Sequence, residues 1–188
     1  RAYLARLGID QLALLRPITD LALAVSGYNA AELAPVGYDQ TAVLPICLRT
    51  ERYETPSNEN LVNALGGARP RLLFIGRLAP NKRQEDLVKL LYCLRRIRPD
   101  AQLTLVGDRW EVGYDRWIET LAADLGVGGG LTLAGKVSQE YMITYLRTAD
   151  LFVSMSEHEG FGVPLIESMF FGLPVMAYGA AAVPETMN

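Results

Sequence analysis

Leu72-Leu73-Phe74-Ile75-Gly76-Arg77-Leu78-Ala79-Pro80-Asn81-Lys82 is the stretch whose reading decides the fold. Four consecutive apolar residues stop at a glycine, which lets the backbone turn tightly. Two cations, Arg77 and Lys82, follow within the next six positions. From Gln84 to Arg98 the apolar residues Leu87, Leu90, Leu91 and Leu94 recur at helical spacing, and Leu103-Thr104-Leu105-Val106 is again a short apolar run. Strand, loop, helix, strand is the βαβ unit, and strands without polar alternation are buried on both faces.

The same rhythm continues toward the C-terminus. A helix is expected from Tyr114 to Leu125, a strand from Leu131 to Leu133, and a helix from Ser138 to Thr148. A strand at 151–153, a helix from Pro164 to Phe171 and a strand from Pro174 to Ala177 complete it. This predicts a doubly wound parallel α/β sheet, Rossmann-like, with right-handed crossovers. Toward the N-terminus, residues 3–16 read as a helix, Leu21 to Ser26 as a buried strand, Asn29 to Leu33 as a helix capped by Asn29, and 42–45 as a strand. The polar stretch 48–70, with Pro56, Gly66, Gly67 and Pro70, reads as a connection.

Composition narrows the chemistry. The chain has 188 residues, half of them hydrophobic, a fifth charged, with a net charge of −3. That is an ordinary globular composition, with no basic excess pointing to nucleic acid. One histidine and two cysteines leave no Cys/His zinc cluster and no CxxC pair. There is no GxSxG elbow, no P-loop and no apolar run of spanning length. Cys47 and Cys93 read as small core residues, and a reducing cytoplasm is the default compartment. Arg1 is not an initiator and the last residues begin another helix, so both ends read as cut.

In doubly wound sheets ligands sit beyond the carboxyl ends of the strands, so the loops there carry the information. Arg77 and Lys82 could neutralise a diphosphate, the alternative being two solvated surface cations. Ser154-Met155-Ser156-Glu157-His158-Glu159-Gly160-Phe161-Gly162-Val163-Pro164-Leu165-Ile166-Glu167 follows the strand at 151–153. Gly160 and Gly162 clear the backbone, and Pro164 opens a helix whose N-terminus attracts anions. Glu159 lies just before that turn, and Glu167 is expected in the helix's first turn, so both carboxylates can face one cleft. Phosphate would take the cations and N–H groups, while sugar and ribose hydroxyls would take the carboxylates; a sugar nucleotide satisfies both. Taken singly, the glutamates could also be a turn acid and a helix-dipole acid. A dinucleotide fingerprint fails because its third glycine position is Leu165 and the acid beyond the next strand is absent. Gly128-Gly129-Gly130 precedes a strand and reads as a connector.

Gly76-Arg77, Asn81-Lys82, the run from Glu159 to Glu167 with its E-x7-E spacing, and Gly172-Leu173-Pro174-Val175 resemble the nucleotide-binding domain of a retaining GT-B glycosyltransferase of family 4. The likeness runs from about residue 71 to the end, and residues 20–48 resemble the close of the family's N-terminal domain. It implies three divisions: 1–48 as the end of an N-terminal acceptor domain, 49–70 as a connection, and 71–188 as a nucleotide-sugar-binding domain truncated at its C-terminus.

The resemblance also implies roles. Arg77 and Lys82 would hold the donor diphosphate and stabilise the leaving group, and Glu159 would contact donor-sugar hydroxyls. Glu167 would bind ribose, while Gly76 and the N–H groups of Gly160, Phe161 and Gly162 would line the donor site. Lys136-Val137 matches the segment against which the base rests, making Val137 a donor contact. No metal or other cofactor is implied. The expected activity of the parent protein is transfer of a hexose from a GDP-mannose or UDP-glucose type donor to a saccharide or lipid-linked acceptor, with retention. The fragment alone would bind donor only. The alternative is a non-catalytic nucleotide-sugar-binding or interaction module. The expected setting is polysaccharide biosynthesis in the cytoplasm, at the inner face of the membrane, without nucleic-acid partners.

Four further residues or runs have weaker readings. His158 reads as an exposed turn residue or a lining of the sugar pocket. Asp108 and Arg109, in the loop Gly107-Asp108-Arg109-Trp110, read as surface or as reaching the cleft. Arg95-Arg96-Ile97-Arg98 reads as a helix end complementing the dipole, with an acidic membrane as the alternative partner.

Overall fold

The computed structural model describes residues 2–109 and 112–188, with side chains from residue 6 onward. Trp110, quoted above, lies outside the described residues. The first unit holds α1 (Ala2–Leu15), β1 (Ala22–Ala24), α2 (Gly27–Leu33) and β2 (Thr41–Val43), the two strands pairing in parallel. The cap of α2 is Ser26, whose side chain accepts the Asn29 N–H, so Asn29 is the third residue of the helix and not its cap. A serine with its acceptor oxygen three residues ahead satisfies one of the helix's orphan donors, which Asn29 inside the helix cannot do.

The polar connection is not structureless. It forms a 3-10 turn over Thr50–Glu54 and a helix, α3 (Glu59–Leu65), capped by Asn58. Leu61 and Leu65 of α3 pack against the main core. Two partly buried apolar residues a turn apart suffice to dock a short helix, though they are too few to show as a periodic pattern.

The second unit alternates as expected: β3 (Arg71–Ile75), α4 (Gln84–Arg95), β4 (Gln102–Val106), α5 (Tyr114–Asp124), β5 (Leu131–Gly135), α6 (Gln139–Thr148), β6 (Leu151–Ser154), α7 (Val163–Phe170), β7 (Val175–Ala177) and α8 (Val183–Thr186). The last five strands form one sheet in the order β5-β4-β3-β6-β7, every pair parallel. Leu72 and Phe74 face one way, into a core with Leu87, Val88, Leu91 and Ile118 from α4 and α5. Leu73 faces the other way, toward Leu146, Phe152 and Leu165 on the side of α6 and α7. Each such buried side chain contributes roughly 1.5–3 kcal/mol, which is why the strands show no polar alternation.

Cys47 and Cys93 are both exposed, against the expectation that they are core. In α4 the buried stripe is Leu87, Val88 and Leu91, and Cys93 lies off it. Cys47 follows β2 in an extended segment that nothing covers among the described residues. No helix among those residues is long and apolar enough to cross a membrane.

Candidate functional site

The strand order reverses between β3 and β6, so their carboxyl ends open a crevice at the topological switch point. The loops leaving these strands are the two that the sequence singled out, and the structure ties them together. The Glu157 N–H donates to the Asn81 carbonyl at 2.9 Å, and the Arg83 guanidinium reaches the Glu157 carboxylate at 3.2 Å. Lys82 Nζ sits 2.6 Å from Glu159 Oε1, both side chains mostly buried. The lysine and glutamate given separate roles by the resemblance therefore form one ion pair across the crevice. The ammonium has three donors; one meets Glu159, a second reaches the His158 carbonyl at 3.4 Å, and the third is left for another acceptor.

The loop after β3 is set by its neighbours. The Gly76 N–H donates to the Val106 carbonyl at 2.8 Å, and the Leu78 N–H to the Asp108 carbonyl at 2.9 Å. Gln84 is fully buried and its amide donates to the Arg77 carbonyl at 2.9 Å, so the backbone carrying Arg77 is held from below. Gly107 has φ +146°, and a Cβ there would lie 1.9 Å from the Gly76 carbonyl oxygen. The close approach of these two loops thus depends on Gly107.

The loop after β6 is anchored by successive carbonyls. Glu159 O accepts the Ala182 N–H at 3.1 Å, Gly160 O accepts the Ser26 hydroxyl at 2.8 Å, and Phe161 O accepts the Thr186 hydroxyl at 2.5 Å. In a trans peptide a carbonyl and the following N–H point opposite ways. The N–H groups of Gly160, Phe161 and Gly162 are therefore turned away from Ala182, Ser26 and Thr186, the partners of those carbonyls. Gly162 completes the turn with φ +79° and caps α7.

Glu167 departs from expectation. It is the fifth residue of α7, in the second turn, and only 6% exposed. Its Oε1 accepts the Tyr53 hydroxyl at 2.7 Å. The helix begins at Val163, one residue before the expected Pro164, which carries Glu167 from the fourth helical position to the fifth and so out of the first turn.

The remaining expected residues are more dispersed. Val137, on the loop after β5, is partly buried against the core holding Val106 and Leu165. His158 is exposed, edge-on to Tyr28 with ring centroids 5.9 Å apart. The exposed Arg109 pairs at 2.9 Å with Asp115, which is itself buried. Arg95 ends α4 and turns back toward the Ala101 carbonyl.

Four polar residues at this site escaped the sequence reading: Tyr53, Ser26, Glu185 and Gln84. Glu185 accepts the N–H groups of Gly27 and Tyr28 at 2.7 and 3.1 Å, joining the two units. Only Tyr53 carried a signal, as an aromatic residue stranded in a polar connection.

Comparison with known proteins agrees with this architecture. The family model described as glycosyl transferases group 1 matches residues 59–188. A GDP-mannose-dependent alpha-(1-6)-phosphatidylinositol monomannoside mannosyltransferase of Mycolicibacterium smegmatis is 28% identical over 199 residues, covering 100% of this chain and 49% of that protein. The chain thus spans about half the length of such a relative. Sucrose-phosphate synthase from Thermosynechococcus elongatus, 27% identical, superposes with a TM-score of 0.80 over 95% of this chain and 45% of that one. The Anabaena protein HepE, solved with UDP and glucose, shares the fold at 22% identity, with a TM-score of 0.81 over 93% of this chain and 48% of that one. With its five-stranded parallel sheet, its GT-B architecture and a match over most of its length, the chain belongs to the glycosyl transferases group 1 family.

Proposed function

We propose that this chain is the donor half of a transferase that moves a hexose from a nucleotide-diphosphate sugar to a saccharide or lipid-linked acceptor, with retention. The observation that carries the reading is the pairing of Lys82 with Glu159 at the switch point, Glu159 lying on the same loop as the N–H groups of Gly160, Phe161 and Gly162. In this reading Arg77, Lys82 and the three N–H groups take the diphosphate and hold the charge that develops as it leaves. Glu159 steers Lys82 and accepts a hydroxyl of the donor sugar. Glu167 accepts ribose hydroxyls, and Gly76 and Val137 line the donor's path. No metal enters the scheme, since the cations and N–H groups supply the positive charge. GDP-mannose is the favoured donor, because a relative that aligns with the whole chain is named for it; HepE, with UDP, supports the fold alone.

Residues 1–48 would then close an N-terminal acceptor domain, 49–70 connect, and 71–188 bind the donor. A chain of this extent is expected to bind donor without measurable turnover. Action at the inner face of a membrane fits a lipid-linked acceptor.

Titration calorimetry with GDP, UDP and ADP tests the reading. Saturable binding of one of them, weakened about tenfold or more by Lys82→Ala or Arg77→Ala, is the expected outcome, the loss matching one charge-assisted phosphate contact. No binding of any of the three would overturn it.

A further inference from the structure

The segment between the two units does more than connect them. Tyr53 is 4% exposed, its ring tilted on Phe170 at 5.2 Å between centroids and edge-on to Phe171 at 5.5 Å. Its carbonyl accepts from Arg147 Nη2 at 2.9 Å, and Nη1 of the same guanidinium donates to the Thr55 carbonyl at 2.7 Å. A residue outside the five-stranded sheet is thus packed and pinned until its hydroxyl has one place to go, Glu167 Oε1 at 2.7 Å. The bond is buried, so it is stronger than an equivalent one in water, and it leaves Oε2 as the acceptor still to be used. A glutamate side chain has three rotatable bonds; a fixed donor on one oxygen selects among its rotamers.

We propose that Tyr53 is a positioning residue, whose hydroxyl holds the Glu167 carboxylate in the orientation that meets the ribose hydroxyls of a bound nucleoside diphosphate. The inference rests on the assignment of Glu167 to ribose under the proposed function. Tyr53 does not touch the ligand; it sets how sharply the site tells ribose from a sugar lacking those hydroxyls.

The test compares GDP with 2′,3′-dideoxy-GDP by calorimetry on the full chain and on Tyr53→Phe, which keeps both ring contacts. The original chain is expected to prefer GDP by about tenfold, the share of one charge-assisted hydrogen bond. Tyr53→Phe is expected to cut that preference to about threefold or less while leaving dideoxy-GDP binding within about twofold, a partial loss of the same contact. An unchanged preference in Tyr53→Phe overturns the inference and leaves the assignment of Glu167 intact. An equal loss of affinity for both ligands overturns it too, since that marks a structural role. No preference in the original chain overturns both the inference and the ribose assignment beneath it.

Discussion

Gly107 lies where the loops after β3 and β4 come closest, and a methyl group there would sit 1.9 Å from the Gly76 carbonyl oxygen. At φ +146° an L side chain is strained whatever the space. Gly107→Ala is therefore expected to cost at least about 3 kcal/mol in urea unfolding, from strain and overlap together. Gly129 has open space around it, and Gly129→Ala should stay within about 0.5 kcal/mol. Tyr53 makes a second prediction at this scale. Burial, and then the hydrogen bond to Glu167, push its phenol up to about 12 from 10.0. A group whose folded pKa is raised stabilises fully below its unfolded pKa and loses that contribution as pH rises through the folded one. Stability should thus fall between about pH 10 and 12, more shallowly in Tyr53→Phe, by denaturant midpoints across that range. Tyr114, also raised by burial and then by its bond to Glu85, keeps part of the slope in the variant.

Among the elements, α2 is held at its N-terminus from outside. Gly27 and Tyr28 donate to Glu185, whereas the Ala30 N–H has its own partner in the Ser26 carbonyl. Hydrogen exchange in Glu185→Ala is expected to speed at Gly27 and Tyr28 by tenfold or more while Ala30 keeps its protection, as opening of an isolated cap predicts. Equal acceleration at all three would show that the helix as a whole had detached. Helices and strands were legible wherever periodicity ran long enough, as in α4, α5 and α6. The seven-residue α3 was not, because its two docking leucines sit in a polar stretch. The exposed Cys93 and the depth of Glu167 have the same origin. Helical phase is set by where a helix starts and which stripe packs, and apolarity alone does not report it.

Across the molecule, the connecting segment is fastened to the unit that holds the five-stranded sheet. Arg147 binds the carbonyls of Tyr53 and Thr55 and lies over the Phe171 ring, and the Asn58 N–H and side chain reach Thr144 and Glu140. Arg147→Ala is expected to raise tryptic cleavage after Arg52 about tenfold under native conditions, as release of one charged anchor lowers local opening energy. Unchanged cleavage would mean that the aromatic packing of Tyr53 suffices to hold the segment.

What the sequence determined by itself was the alternation of strands and helices, the two loops that bear Arg77, Lys82 and Glu159, and the glycines that shape them. Those are local matters: apolar period, glycine and proline placement, and the rule that parallel strands deliver ligands to their carboxyl ends. Tertiary structure decided which polar groups meet. Tyr53 and Glu167 are 114 positions apart, Ser26 and Gly160 are 134 apart, and Gly27 and Glu185 are 158 apart. A hydroxyl or carboxylate carries no mark of its partner along the chain. It acquires one only when packed faces exclude water and leave a single donor or acceptor within reach.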